Sequence, residues 1–130
     1  MADPVETGAR AAARRLQTPE RPELAEDVEM ALYARDAPDQ PRQYGDFDAL
    51  ASLIVSVATL AWTVYNDIRS RAAAPPPEVV GRRVRHELGR ADDPGAALDP
   101  ATRDRVIEVT VEETVDAAGV ESPDTADTAE

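Results

Sequence analysis

The sequence has no cysteine and no lysine, and it has a single histidine. The lack of cysteine excludes disulfides and thiolate metal sites. His86 lies in the charged run Arg-Val-Arg-His-Glu-Leu, where a lone histidine reads as a surface residue, and it has no second His or Cys to complete a transition-metal centre. The six glycines are isolated, and none opens a strand-to-helix turn, so there is no phosphate-binding loop. No Gly-x-Ser-x-Gly elbow is present. Ser52 and Ser56 have no base near them in sequence. The acidic pairs Asp92-Asp93 and Glu112-Glu113 lack the spacing of a calcium loop. The sequence therefore offers no catalytic residue, cofactor site, metal site or small-molecule substrate, and the expectation is a non-enzymatic protein. Arg10, Arg14 and Arg15 are not followed by an apolar stretch, so no cleavable secretory signal is read. Asp3 and Glu6 count against an organelle transit peptide.

Aromatic residues make up only 4% of the chain: one Trp, one Phe and three Tyr. Eleven prolines and a charged fraction of 31% leave the flanks with little apolar surface to offset chain entropy. The 130 residues have room for one modest domain. All fourteen basic residues are arginine and alanine is abundant, which fits a GC-rich bacterial genome. The net charge of -12 argues against nucleic-acid binding, which needs a basic face. The charge is unevenly laid out. Residues 1–46 carry -4, residues 69–90 carry +4 and residues 91–130 carry -10.

The pattern along the chain predicts an all-α protein: one long apolar helix, two or three short amphipathic helices, and disordered termini. Residues 1–21 read as a disordered tail with at most a transient helix over 9–16. Residues 22–36 read as a short amphipathic helix, with Pro22 at its first position and Leu24, Val28, Ala31 and Leu32 on one face. Pro38, Pro41 and Gly45 mark 37–45 as a linker. The apolar helix spans 46–72, capped by Asp46 or Asp48 and stopped by Pro75-Pro76-Pro77. A two-helix segment fills 75–119. Its first helix, 77–90, carries Val80, Val84 and Leu88. Its second runs over 100–118 from the Asp99-Pro100 start to a stop at Gly119. Val106–Val111 also alternates as a strand would, and the bracketing caps favour helix. Residues 120–130 read as a disordered acidic tail.

The apolar helix dominates the functional reading. Ala49 to Asn66 is a run of 18 residues without a charge, spanning about 27 Å as a helix. That is near the lower limit for crossing a hydrocarbon core of about 30 Å. Tyr44 and Phe47 precede the run and Trp62 and Tyr65 end it, as aromatic belts at two membrane interfaces would. Arg69 and Arg71 follow, then Arg82, Arg83 and Arg85, a block suited to anionic lipid headgroups or to an exposed helix face. The positive-inside bias would place the C-terminal half in the cytoplasm. Ser52, Ser56, Thr59, Thr63 and Asn66 recur at helical spacing. Such a stripe of small hydroxyl side chains suits a helix–helix interface, and its hydroxyls can also bond back onto the preceding turn. Leu50, Leu53, Val57, Leu60 and Val64 fit a heptad seam, which serves a soluble bundle as well as a membrane.

The remainder of the chain reads as too poor in large apolar residues to wrap this helix on all sides. Three placements follow: a bilayer, a partner chain or second copy, and, least favoured, this chain's own fold. The leading expectation is a small single-pass protein of the bacterial inner membrane, with lipid as one partner. It would act as an anchor or interaction component through its acidic helical C-terminal segment, which would face a basic protein. The alternative is a cytoplasmic helical adaptor or oligomerisation module whose apolar helix is buried against a partner.

Overall fold

The computed structural model describes residues 3–35, 49–90 and 98–121. They form five α-helices, with no strand among the described residues: α1 (Pro4–Leu16), α2 (Leu24–Arg35), α3 (Ala49–Arg69), α4 (Pro77–Arg90) and α5 (Pro100–Glu121). The fold is all-α, with one long apolar helix, as the sequence predicts. The linker 37–45, the capping residues Asp46 and Asp48, and residues 122–130 lie outside the described residues.

α1 corrects the expectation of a disordered tail over 1–21. Asp3 caps it in extended conformation, its carboxylate accepting the Val5 amide proton at 3.0 Å, and Pro4 takes the first helical position. Glu6 in the first turn and Arg14 and Arg15 in the last match the helix dipole. Val5, Gly8, Ala9, Ala12 and Ala13 are buried at the three- and four-residue spacing of one helix face. The expectation of disorder rests on the scarcity of large apolar side chains. A face of glycine and alanine buries area by another route: it lets the backbone itself come close. A Cβ on Gly8 would stand 2.4 Å from Thr114 Oγ1 and 2.7 Å from Thr114 Cα, so α1 presses directly onto α5 there.

α2 buries Leu24, Val28, Ala31 and Leu32, the face its spacing predicts. It begins at Leu24, two residues later than expected. Pro22 sits in a preceding turn in which the Arg21 amide donates to Thr18 O and the Leu24 amide to Arg21 O. α3 ends at Arg69, and a turn in which the Arg71 and Ala72 amides both donate to Ile68 O carries the chain to the prolines. α4 matches its expected span and buries Val80, Val84 and Leu88.

α5 starts at Pro100, where the Asp99 carboxylate accepts from the Thr102 amide at 3.1 Å. Val106, Ile107, Val109, Thr110 and Val111 are all buried in it. A half-buried strand would bury alternate residues, so the helix explains both parities at once. Gly119 does not end α5, which continues to Glu121. Ala117 and Ala118 keep the face buried up to that point. One glycine inside a helix costs only about 1 kcal/mol relative to alanine, too little to end a helix that is still packed.

α3 is the centre of the molecule and packs on each of the other four helices. Around it, α2 packs on α1, α1 on α5 and α5 on α4, whereas α2 and α4 do not form a packed pair. Among the described residues, the four outer helices thus form an arc rather than a closed ring around α3. Eleven residues of α3 are buried, including Leu50, Leu53, Ile54, Val57 and Val64. The rest of the chain thus covers most of the segment without wrapping it on all sides. α1 supplies the missing wall with small residues, and α5 buries a broad face that meets α1, α3 and α4. Ion pairs bridge successive neighbours around the rim. Arg10 meets Glu29 between α1 and α2 at 2.6 Å, Arg15 meets Glu112 and Glu113 between α1 and α5 at 3.0 Å, and Arg85 meets Asp104 between α4 and α5 at 3.9 Å. The carboxylates raise the pKa of Arg10 and Arg15, chiefly through the hydrogen bonds themselves. Such half-exposed pairs each contribute about 0–1 kcal/mol, so they steer the register more than they hold the bundle.

Candidate functional site

α3 reaches the surface on one side from Ser56 onward. Proceeding along the helix from Ser56, the residues on this side are Ser56, Thr59, Leu60, Thr63 and Asn66. Ser56, Thr59 and Leu60 are half-buried, and Thr63 and Asn66 are exposed. Four of these five belong to the hydroxyl and amide stripe read in the sequence. Its first member, Ser52, is buried at 2% exposure, so the N-terminal end of the stripe is covered and the remainder is not.

The chemistry of the stripe is less polar than its composition. Thr59 donates its hydroxyl to Val55 O at 2.9 Å, and Thr63 donates its own to Thr59 O at 3.0 Å. Both protons are thereby used within the helix. What remains on the outside is the threonine methyl groups, the Leu60 side chain, the Ser56 hydroxyl and the Asn66 amide. From Ala49 to Asn66 no charge interrupts the helix, although 31% of the whole sequence is charged. A helix face in water usually carries Glu or Arg.

The aromatic residues separate into two groups. Tyr44 and Phe47 lie outside the described residues. Trp62 and Tyr65 stack with ring centroids 6.2 Å apart and 15° between planes. Tyr65 is buried in the core at 3% exposure, and Trp62 is half-buried against the core.

The basic block is drawn together in part, around an acid that sequence pattern alone does not single out. Asp67 accepts from Arg71 at 2.8 Å on one carboxylate oxygen and from Arg83 at 3.0 Å on the other. The Arg83 hydrogen bond, followed by that from Arg71, holds the Asp67 carboxyl below the usual aspartate range. This bridge fastens the end of α3 to α4. Arg85 points to Asp104 of α5, Arg69 is half-buried in the last turn of α3, and Arg82 is exposed. The five arginines therefore do not converge on one site. A signal for Asp67 does exist, since it is the one acid between the charge-free run and the basic block.

Two further features are invisible to periodicity. Met30 and Tyr33, on the outer side of α2, are 57% and 72% exposed. Three hydroxyls, Ser52 Oγ, Thr110 Oγ1 and Thr114 Oγ1, are buried without a hydrogen-bond partner. Among the described residues, no three acidic or histidine side chains gather as a metal site would require. No family model matches this chain, and no curated protein or solved structure is significantly similar to it.

Proposed function

We propose that this protein is a non-enzymatic helical interaction module of the cytoplasm, in which the apolar helix is the core of a bundle and the work is done by the surface the bundle presents. The observation that carries this reading is the burial of α3 against α1, α2, α4 and α5 of the same chain. A helix already lined on four sides by protein has little apolar circumference left to give to lipid. The acidic outer edge of α5, with Glu108 and Asp116 exposed, is the surface assigned to a basic protein partner.

A second reading keeps α3 as a single membrane span. It is supported by the length and composition of that helix, 21 residues and apolar enough to cross a bilayer. The outer helices would then have to leave α3 on insertion, with the arginines after it meeting lipid headgroups.

One pair of substitutions separates the two readings. Ile54 is fully buried, whereas Leu60 is half-buried on the side where α3 reaches the surface. In a bundle, Ile54→Arg places an unpaired guanidinium in the core and unfolds the protein, and Leu60→Arg leaves the charge at the rim and is tolerated. In a membrane, both positions lie within the apolar span, and each arginine costs about 2.5–3.5 kcal/mol of insertion. We expect the wild type and Leu60→Arg in the soluble fraction with native helicity, and Ile54→Arg unfolded. Wild-type protein that resists an alkaline carbonate wash of membranes, with both variants released alike, would transfer the assignment to the second reading.

A further inference from the structure

The outer helices are not all held to the bundle in the same way. We infer that α1 is a clasp held by charge: it leaves α3 and α5 as one unit while α2 to α5 stay folded, and ionic strength sets its position. This inference rests on the bundle reading of α3 given above.

Three observations single out α1. The first is how little large apolar surface it brings. Val5 is its largest fully buried side chain, and Pro4, Gly8, Ala9, Ala12 and Ala13 make up the rest of the buried face. α2, of similar length, buries Leu24, Val28 and Leu32, and α4 buries Val80, Val84 and Leu88. Apolar stabilisation follows the area removed from water, so the small face of α1 is the weaker hold.

The second observation is a hydroxyl left dry by the docking. Thr114 Oγ1 has no hydrogen-bond partner and lies against Gly8, where a Cβ would stand 2.4 Å from it. Undocking α1 returns this hydroxyl to water, which favours the open state.

The third is the nature of the polar ties. They are ion pairs at the rim, each with both side chains partly exposed. Asp3 meets Arg35 at 3.6 Å, Arg10 meets Glu29 at 2.6 Å, and Arg15 meets Glu112 and Glu113 at 3.0 Å. The wider charge balance has the same sense. Residues 1–16 carry three arginines against Asp3 and Glu6, a net charge of +1, and the total of -12 leaves -13 on residues 17–130.

Salt then acts on the two parts with opposite sign. It screens the attraction between α1 and the acidic remainder, and it also screens the self-repulsion of that remainder. Added salt opens α1 while α2 to α5 hold or tighten. A bundle that opens only as a whole responds with one sign throughout. Release of α1 also returns Glu112 and Glu113 to the acidic edge of α5, the surface assigned above to a basic partner.

Hydrogen exchange of the full chain, read segment by segment under native conditions, tests the clasp. Amides of residues 9–16 should exchange roughly tenfold or more faster than those of 53–65 in α3. Raising salt from about 0.05 M to about 1 M should speed the first group by about three- to tenfold and leave the second unchanged or slower. Arg15→Glu sets a further negative charge beside Glu112 and Glu113, and should open α1 at low salt with α3 still protected. Glu112→Arg with Glu113→Arg, added to Arg15→Glu, should close it again. Arg85→Glu, at the ion pair between α4 and α5, should leave α1 exchange unchanged. Equal exchange of α1 and α3, moving together with salt and in Arg15→Glu, would end the clasp and leave the bundle reading intact. Slower α1 exchange at high salt would end it too, as would exchange of α1 at the rate of an unstructured chain under every condition. Recovery of the wild type only from detergent-extracted membranes would end the bundle reading itself.

Discussion

Gly8→Ala is the substitution whose sign depends most directly on the tertiary structure. On helix propensity alone it should stabilise, because alanine exceeds glycine by about 0.8–1.0 kcal/mol in a helix interior. The packing works against this. The new Cβ would stand 2.4 Å from Thr114 Oγ1, 2.7 Å from Thr114 Cα and 3.0 Å from Thr114 Cβ, whereas comfortable carbon–carbon separations lie at about 3.5–4.0 Å. Rotating the threonine relieves the first clash and leaves the second, which is with backbone. α1 must therefore retreat by roughly 1 Å, and a gap of that size forfeits a quarter to a half of each dispersion interaction along the face. That face includes Val5, Ala9, Ala12 and Ala13, all at 0% exposure. Overpacking of this kind costs about 1–3 kcal/mol, which offsets the propensity gain and leaves a net loss of up to about 2 kcal/mol. Gly89→Ala is the control, because nothing lies within 4 Å of its Cβ position. It should stabilise by up to about 1 kcal/mol. Urea unfolding followed by far-UV circular dichroism, compared at constant m, reads both. Thr114→Ala should not rescue Gly8→Ala, since the clash with the backbone of residue 114 persists. If Gly8→Ala raises the midpoint as Gly89→Ala does, α1 is not seated on α5 and the account of how the core is closed fails.

Other outcomes follow from the same structure. Thr110 is fully buried and its hydroxyl has no partner, so the near-isosteric Thr110→Val should stabilise by about 1 kcal/mol, measurable as a higher urea midpoint. A loss of stability instead would show that the hydroxyl is bonded in solution. Asp67 has a lowered pKa because Arg83 and Arg71 hold its ionised form. Its contribution is present above the unfolded aspartate value and is lost as pH falls through the lower folded value. Asp67→Asn should therefore lower the melting temperature slightly at neutral pH, and the difference from wild type should vanish in acid; a constant difference would point to packing. The Ile54→Arg and Leu60→Arg pair should diverge in folding.

Much of the outer form was legible because it is written locally. The Asp99-Pro100 start of α5, the span of α4 and the buried face of α2 all follow from caps and three-four spacing. The same logic was available at Asp3-Pro4, with Val5, Gly8, Ala9, Ala12 and Ala13 at helical spacing behind it. The expectation of disorder there follows instead from the scarcity of large side chains. That substitution of closeness for size is what a count of large aliphatics misses. Gly119 shows the opposite error, a local stop signal overridden because Ala117 and Ala118 still pack. For the candidate site, the stripe from Ser52 to Asn66 was visible as a pattern, but not which part of it reaches the surface. Exposure depends on where the outer helices stand, and no local rule sets that.

By itself the sequence determined that this protein is helical, that α3 is its most apolar element, and that the residues after α3 are basic and those around them acidic. Periodicity, caps and composition act within a few residues and need no partner. Only the tertiary structure decided that α3 is the core of its own chain, that α1 closes the wall through glycine and alanine, and that the stripe is open from Ser56 onward. Burial is a property of pairs of surfaces. The fit of Gly8 against Thr114, and the burial of α3 against four helices, exist only once helices distant in sequence are set side by side.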